Sequence, residues 1–256
     1  MSQPERSGDG YAPGSGPVVF VTGAAGGLGR VVVSRLQSRG HRVIATDVAL
    51  ADLPCTGSAG AVTAMQLDVT DSAAVEACVS RTLAEFGRID HVVHLAGRAG
   101  RGPVGEVSAS EWDALLAVNL GSAFQVARTV HAALAVSRGS LVFTASSNAF
   151  NGGSALSGPA YAAAKAGIVN LGRYLAAEWA PQRIRVNTVA PGPIDTPMVT
   201  GGRLSQTELA KVQASVPLGR MGEPRHVAHA IEYLLHPDAD FVTGTVMHVS
   251  GGLVMG

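Results

Sequence analysis

Tyr161 and Lys165 stand four residues apart in the run Tyr161-Ala162-Ala163-Ala164-Lys165, so a helix there carries a phenol and an ammonium on one face. A free phenol has a pKa of roughly 10 and is a poor base near neutrality, whereas a nearby positive charge favours the phenolate. Such a pair can move a proton, although Tyr and Lys at this spacing also occur on ordinary amphipathic surfaces. Ser146 and Ser147 close an apolar run just upstream, and Asn119 lies inside a longer helical pattern before that. A serine hydroxyl at this place can donate a hydrogen bond to an oxygen on which negative charge develops.

A second constellation lies near the start of the chain. Val18-Val19-Phe20-Val21-Thr22-Gly23-Ala24-Ala25-Gly26-Gly27-Leu28-Gly29-Arg30 reads as strand, tight turn and helix. Gly23 permits the turn, and Gly27 and Gly29 let backbone approach a pyrophosphate and the helix approach the strand; the helix N-terminus adds unpaired N–H groups. Glycine is also plain loop material, so the turn gains weight from Asp47, which ends the next apolar run 18 positions beyond Gly29. A carboxylate there binds the adenosine ribose hydroxyls and repels a 2′-phosphate, and Val48 follows it where a basic residue could otherwise meet that phosphate. The pattern favours NAD over NADP. Asp68-Val69 can flank an adenine ring, with a turn or helix cap as the rival role for Asp68.

Elements must bring these two constellations together. Short apolar runs at 18–22, 42–46, 62–67, 91–96, 140–144, 185–189 and 245–249 alternate with helical patterns at 28–39, 72–86, 110–135, 159–179 and 224–235. Runs rich in Val and Ile without strict alternation are strands covered on both faces, and their succession with helices predicts an α/β chain: a single-domain Rossmann fold with a doubly wound, seven-stranded parallel sheet flanked by helices. Ser72 or Asp71 is expected to cap the second helix and Ser108 or Ser110 the third, with Gly40 and Gly87 in left-handed positions after helices. Residues 1–16, rich in Ser, Gly and Pro, read as a disordered leader without the apolar core of a signal peptide, and 17–256 as one domain.

The ordered set Thr22-Gly23-x-x-x-Gly27-x-Gly29, Asn119, Ser147 and Tyr161-x-x-x-Lys165 resembles the classical short-chain dehydrogenase/reductase family, as do Arg185-Val186-Asn187 and Pro191-Gly192-Pro193-Ile194-Asp195-Thr196 further on. The resemblance runs from about Val18 to the C-terminus. It implies an NAD-dependent oxidoreductase that interconverts a secondary alcohol and a ketone. Asn119, Ser147, Tyr161 and Lys165 would be its catalytic residues. Gly23, Gly27, Leu28, Gly29, Asp47, Asp68, Val69, Ala96, Gly97, Tyr161, Lys165, Pro191, Gly192, Ile194 and Thr196 would hold the cofactor. Tyr161 would exchange the alcohol proton, Lys165 hold the nicotinamide ribose, Ser147 donate to the substrate oxygen, and Asn119 disturb its helix locally to hold a water beside Lys165. A homodimer or homotetramer is also implied. Two departures stand out. His94-Leu95-Ala96-Gly97 replaces the family's Asn-Asn-Ala-Gly, with a structural role for His94 favoured over a catalytic one. Ser147 precedes Tyr161 by 14 positions, one more than expected, which leaves Ser146 as its alternative.

Other features bound the reading. Nineteen basic and nineteen acidic side chains cancel, giving no electrostatic footprint for nucleic acid or an anionic membrane. Two cysteines, Cys55 and Cys78, make no disulfide framework or metal pair, and a cytoplasmic location is expected. Substrate contacts are expected from the loop after the fourth strand, from 148–158, and from a mobile lid over 193–215 whose Met198, Val199 and Leu204 suit a hydrophobic alcohol or simply pack the lid down. Arg98 and Arg101 either meet a substrate carboxylate or phosphate or are solvated. A dehydratase or epimerase using NAD, and a silent nucleotide sensor, are the competing functions.

Overall fold

Val18-Val19-Phe20-Val21-Thr22 has no polar side to turn to water, and all five residues are buried. Alternate residues of the strand enter opposite cores: Val18 and Phe20 pack with one set of helices, Val19 and Val21 with the other. The computed structural model, which describes residues 15–49, 62–202 and 204–255, extends this pattern across a seven-stranded sheet. Its strands are β1 (Val18–Thr22), β2 (Arg42–Asp47), β3 (Val62–Gln66), β4 (His91–His94), β5 (Ser140–Thr144), β6 (Arg185–Pro191) and β7 (Val246–Val249). They are all parallel and lie in the order β3-β2-β1-β4-β5-β6-β7.

The longer helices follow from amphipathic spacing and cap chemistry. They are α1 (Gly27–Ser38), α2 (Ser72–Phe86), α3 (Ala109–Leu116), α4 (Ser122–Ser137), α6 (Pro159–Trp179) and α9 (Pro224–Leu235), with α5 (Asn148–Asn151), α7 (Pro197–Thr200) and α8 (Gln206–Ala214) in the segments that edge the functional face. Val75 and Val79 of α2, Val126 and Val130 of α4, and Ile168 of α6 fill one core; Val32 and Leu36 of α1 and Val227 and Ile231 of α9 fill the other. Of the paired cap candidates, Asp71 accepts from Ala73 N and Ala74 N, and Ser108 accepts from Glu111 N. Gly40 and Gly87 both take positive φ, as a helix C-terminus wants.

Several expectations need correction. The helix expected at 110–135 is interrupted: residues Ala117–Gly121 form a π-turn between α3 and α4. β4 ends at His94 because the chain there leaves the sheet to make the loop under the future site, and β6 continues to Pro191 because it still pairs with β7. The short α5, α7 and α8 were expected as loop and lid; α8 carries a Ser205/Glu208 capping box that the sequence did display. The expected leader, apart from residues 15 and 16, lies outside the described residues, as does Cys55.

Strand order reverses at β1, whose neighbours are β2 on one side and β4 on the other, so the chain segments leaving β1 and β4 part and open a crevice at the carboxyl ends of the strands. The crevice forms only because backbone approaches backbone without side chains between. A Cβ on Gly29 would lie 2.1 Å from Gly23 O, and one on Gly23, whose φ is 69°, would lie 2.7 Å from Ala96 N. Gly29→Ala is expected to lower stability by about 2–3 kcal/mol, read as a lower urea midpoint with an unchanged slope; a parental midpoint would mean that the turn opens freely.

Candidate active site

The crevice widens into a cleft of about 370 Å³ where β5, α6 and the residues after β6 converge. The glycine turn forms one end. Asp47, half-buried at the tip of β2, accepts from Ala25 N (3.0 Å) with one oxygen and from Ala49 N (3.2 Å) with the other, so the carboxylate is locked onto the turn. Each oxygen keeps a further lone pair for a ligand hydroxyl. Thr196 and Pro197 lie against the same turn: a Cβ on Gly27 would meet Pro197 Cδ at 2.8 Å and Thr196 Cβ at 3.0 Å. Asp68 accepts from Thr70 Oγ1 and Thr70 N with one oxygen, bonds that shape the local turn and hold its pKa below the ordinary carboxylate value, and neither engages its second oxygen.

Behind the cleft, the histidine that departs from the family pattern is a buried brace. Ser122 Oγ donates to Val118 O (2.7 Å), so it accepts from His94 Nε2–H (3.1 Å). His94 Nδ1 then accepts from Thr22 Oγ1–H (2.9 Å), and that same hydroxyl receives Ala96 N–H (3.4 Å). One neutral imidazole thus ties β1, β4 and α4 together. Burial, and secondarily the charge of Lys165, push its pKa down to about 3, so it does not serve as a proton carrier near neutrality.

The π-turn that the brace supports sets the position of Asn119. Ser122 N–H reaches back to Ala117 O rather than to Val118 O, and Ser122 Oγ takes the carbonyl so released. Buried Asn119 donates through Nδ2 to Leu115 O and Arg98 O, each at 2.9 Å, and its Oδ1 accepts Arg98 N (3.3 Å). The side chain therefore clasps the loop after β4. A Cβ on Gly97 would fall 2.6 Å from Asn119 Oδ1 and 3.3 Å from Lys165 Nζ, which is why glycine stands there.

Lys165 is buried in α6 and donates to Thr144 O (2.8 Å) at the end of β5. Desolvation lowers its pKa from 10.5 to about 8. Its ammonium stands 5.5 Å from the centre of the Tyr161 ring. In the protein alone, without the positive cofactor ring that the expectation includes, burial raises the Tyr161 pKa, opposed by a hydrogen bond with the Ser146 side chain. That bond also bears on the serine assignment. Ser146, not Ser147, meets the phenol; Ser147 turns into the start of α5 and donates its backbone N–H to Pro191 O (2.8 Å).

The remaining wall comes from the residues after β6 and from the lid. Gly192 N donates to Val249 O (3.0 Å), while Asp195 N donates to Gly222 O (2.8 Å), so the Pro191–Thr196 turn is anchored at both ends. Met198, Val199, Leu204 and Val212 present aliphatic surface to the cleft. Arg101 pairs with Glu208 of α8 at 3.3 Å and so joins the loop after β4 to the lid. Sequence reasoning missed Thr144 as a cleft residue, whereas the 148–158 loop lines the cleft as expected, through Asn148 and Ser157 among others. The last two hydrogen-bond each other (Asn148 Nδ2 to Ser157 Oγ, 2.7 Å), and only the folded loop brings them together.

A doubly wound parallel sheet, a glycine turn at its switch point and a Ser–Tyr–Lys set across β5 and α6 define a dinucleotide-binding oxidoreductase. Comparison with known proteins agrees. A family model described as Enoyl-(Acyl carrier protein) reductase matches residues 23–254. The chain is 35% identical to the 3-oxoacyl-[acyl-carrier-protein] reductase FabG of Escherichia coli, over 94% of this chain and 98% of that protein. It is 32% identical to the (2S)-[(R)-hydroxy(phenyl)methyl]succinyl-CoA dehydrogenase subunit BbsD of Thauera aromatica, over 92% and 95%. The crystal structure of levodione reductase superposes with a TM-score of 0.86 at 33% identity, covering 92% of this chain and 96% of that one. The chain belongs to the classical short-chain dehydrogenase/reductase family, whose members use a nicotinamide cofactor and act on alcohol or ketone carbon. No described helix is long and apolar enough to cross a membrane.

The buried ammonium has a consequence for stability. Because the folded pKa of Lys165 lies below the ordinary value, the cost of holding its charge is fully present below about pH 8 and fades as pH rises towards 10.5. Lys165→Met is therefore expected to melt at or above the parental temperature at about pH 7, with the parent regaining ground at about pH 9.5. A parent that leads by the same margin at both values would show that the ammonium carries no such cost.

Proposed function

We propose that this chain is an NAD-dependent dehydrogenase or ketoreductase interconverting a secondary alcohol and a ketone. The observation that carries the reading is the contact of Ser146 with Tyr161, one helical turn from buried Lys165, at the open end of a glycine-turn crevice. The crevice suits a dinucleotide, because glycine at 23, 27, 29 and 97, where a Cβ would strike neighbouring protein atoms, lets the turn, the loop after β4 and the Thr196–Pro197 segment close up around it. When bound, the cofactor supplies or accepts a hydride and, in its oxidised form, a positive ring. Tyr161 takes the alcohol proton in oxidation and returns it in reduction. Ser146 donates to the substrate oxygen, in the place first given to Ser147. Lys165 holds the nicotinamide ribose and favours the phenolate once the cofactor's charge offsets burial, and Asn119, through the π-turn, holds a water that passes the proton towards solvent.

Gly23, Gly27, Leu28 and Gly29 would hold the rest of the cofactor, with Asp47 for the adenosine ribose, Asp68 and Val69 for the adenine, Ala96 and Gly97 for the nicotinamide half, and Pro191, Gly192, Ile194 and Thr196 for its carboxamide. Asp47 supports NAD over NADP because both of its oxygens are fixed on the turn, where a 2′-phosphate would meet them. Lys165 is the one charged side chain among the described residues lining the cleft, which supports an uncharged substrate body against the aliphatic lid. Exposed Phe124 on α4 and Tyr174 on α6 support pairing of these helices between copies in a dimer or tetramer. One catalytic domain working in the cytoplasm completes the reading.

With NAD⁺ and a panel of uncharged secondary alcohols, turnover followed by the absorbance of reduced nicotinamide is expected for the parent. Tyr161→Phe should lose it by more than about a thousandfold with NADH affinity retained, and Ser146→Ala should lose far more than Ser147→Ala. Parental turnover by the Phe variant would remove Tyr161 from the chemistry, and the reverse order of the serines would restore Ser147. Asp47→Ala should weaken NAD by about tenfold or more and NADP far less; equal losses would deny Asp47 the discrimination.

A further inference from the structure

Thr144 ends β5 and is 6% exposed as a residue, yet its buried hydroxyl has no hydrogen-bond partner in the protein. A hydroxyl buried without a partner costs about 1–3 kcal/mol, and Val would fill the same space without that cost. The preceding residues of the strand, Leu141, Val142 and Phe143, are the apolar types expected there. Something outside the chain must meet this oxygen.

Strand geometry says where it points. Phe143 and Ala145 enter the core beneath α4 and α6, and Val142 enters the opposite core, so alternation puts the Thr144 side chain on the Val142 side. Its neighbour in the sheet, Val189, belongs to that same core. At the mouth of that core stand Leu28, Leu95 and Ile194, all lining the cleft together with Thr144. Three aliphatic side chains and one lone hydroxyl make a slot for a flat ring with apolar faces and a polar edge. The backbone carbonyl of the same residue accepts from Lys165 Nζ (2.8 Å).

We propose that Thr144 is a cofactor-binding residue, its hydroxyl making a hydrogen bond to the carboxamide of the nicotinamide ring. This rests on the reading of the cleft as a dinucleotide site and adds to it a side-chain contact at the ring. The same residue thereby couples the two halves of the site: its carbonyl fixes the ammonium beside Tyr161, and its hydroxyl fixes the ring across which hydride moves.

The test is binding by the intact chain, read as quenching of protein fluorescence by NADH and, separately, by ADP-ribose, which carries both phosphates and the terminal ribose but no nicotinamide. Thr144→Val should weaken NADH by about three- to fifteenfold and leave ADP-ribose within twofold. Thr144→Ser, which keeps the hydroxyl, should bind NADH within twofold of the parent. The unliganded Val variant should melt no lower than the parent. NADH affinity unchanged by Thr144→Val, an equal loss for ADP-ribose, or a loss in Thr144→Ser as large as in the Val variant would each overturn the proposal. Failure of the parent itself to bind either probe would instead overturn the reading of the cleft on which it rests.

Discussion

An ammonium group in the interior of a protein needs acceptors and a reason to be there, and Lys165 organises the functional face around both requirements. Its charge is buried at the carboxyl end of a parallel sheet, where the Thr144 carbonyl turns out of the β5 ladder to receive it. The space beside it is kept open by Gly97, and the wall beyond is the amide of Asn119. Asn119 in turn can face this way only because the helix opens into a π-turn, and the carbonyl released by that turn is taken up by Ser122, braced by His94 against β1. A chain of neutral hydrogen bonds thus runs from the first strand to the edge of a buried positive charge. Neutrality matters: a charged imidazole so close to Lys165 would add a second unpaired cation to the interior, and burial and that charge together keep the ring neutral.

Close backbone approach is the second requirement, and it belongs to the opposite wall of the crevice. Glycine at 23, 27 and 29 removes the side chains that would separate β1, β4 and the Thr196–Pro197 segment. The consequence is a narrow corridor leading from Asp47 to the phenol, with rigid strands beneath and a lid of short helices above. The segment that carries α8 is tied to the body through the exposed pair Arg101 and Glu208.

Much of this was legible before any coordinates. The strands betrayed themselves as apolar runs without alternation, since both faces are covered, and the glycine turn, Asp47 and the Tyr161/Lys165 spacing followed from local geometry alone. Less legible were features decided by tertiary context. Nothing in the spacing tells Ser146 from Ser147, because the choice depends on where the β5 strand releases the chain into α5. Helices of four residues such as α5 and α7 are too short to show a period. The burial that raises the Tyr161 pKa in the protein alone is likewise not legible, because a sequence displays neighbouring charge but not burial. The orphan hydroxyl of Thr144 looked like an ordinary strand residue until the strand's two faces were assigned.

Burial disfavours the Tyr161 phenolate in the protein alone, and the charge of the oxidised cofactor is proposed to reverse this. Titrating the tyrosinate absorbance of the parent minus that of Tyr161→Phe, with and without saturating NAD⁺, measures it directly. A single phenol is expected whose pKa lies above the ordinary value without the cofactor and falls well below it with NAD⁺ bound. A phenol that titrates at the same pH in both states, or one already ionised near neutrality without NAD⁺, would contradict it.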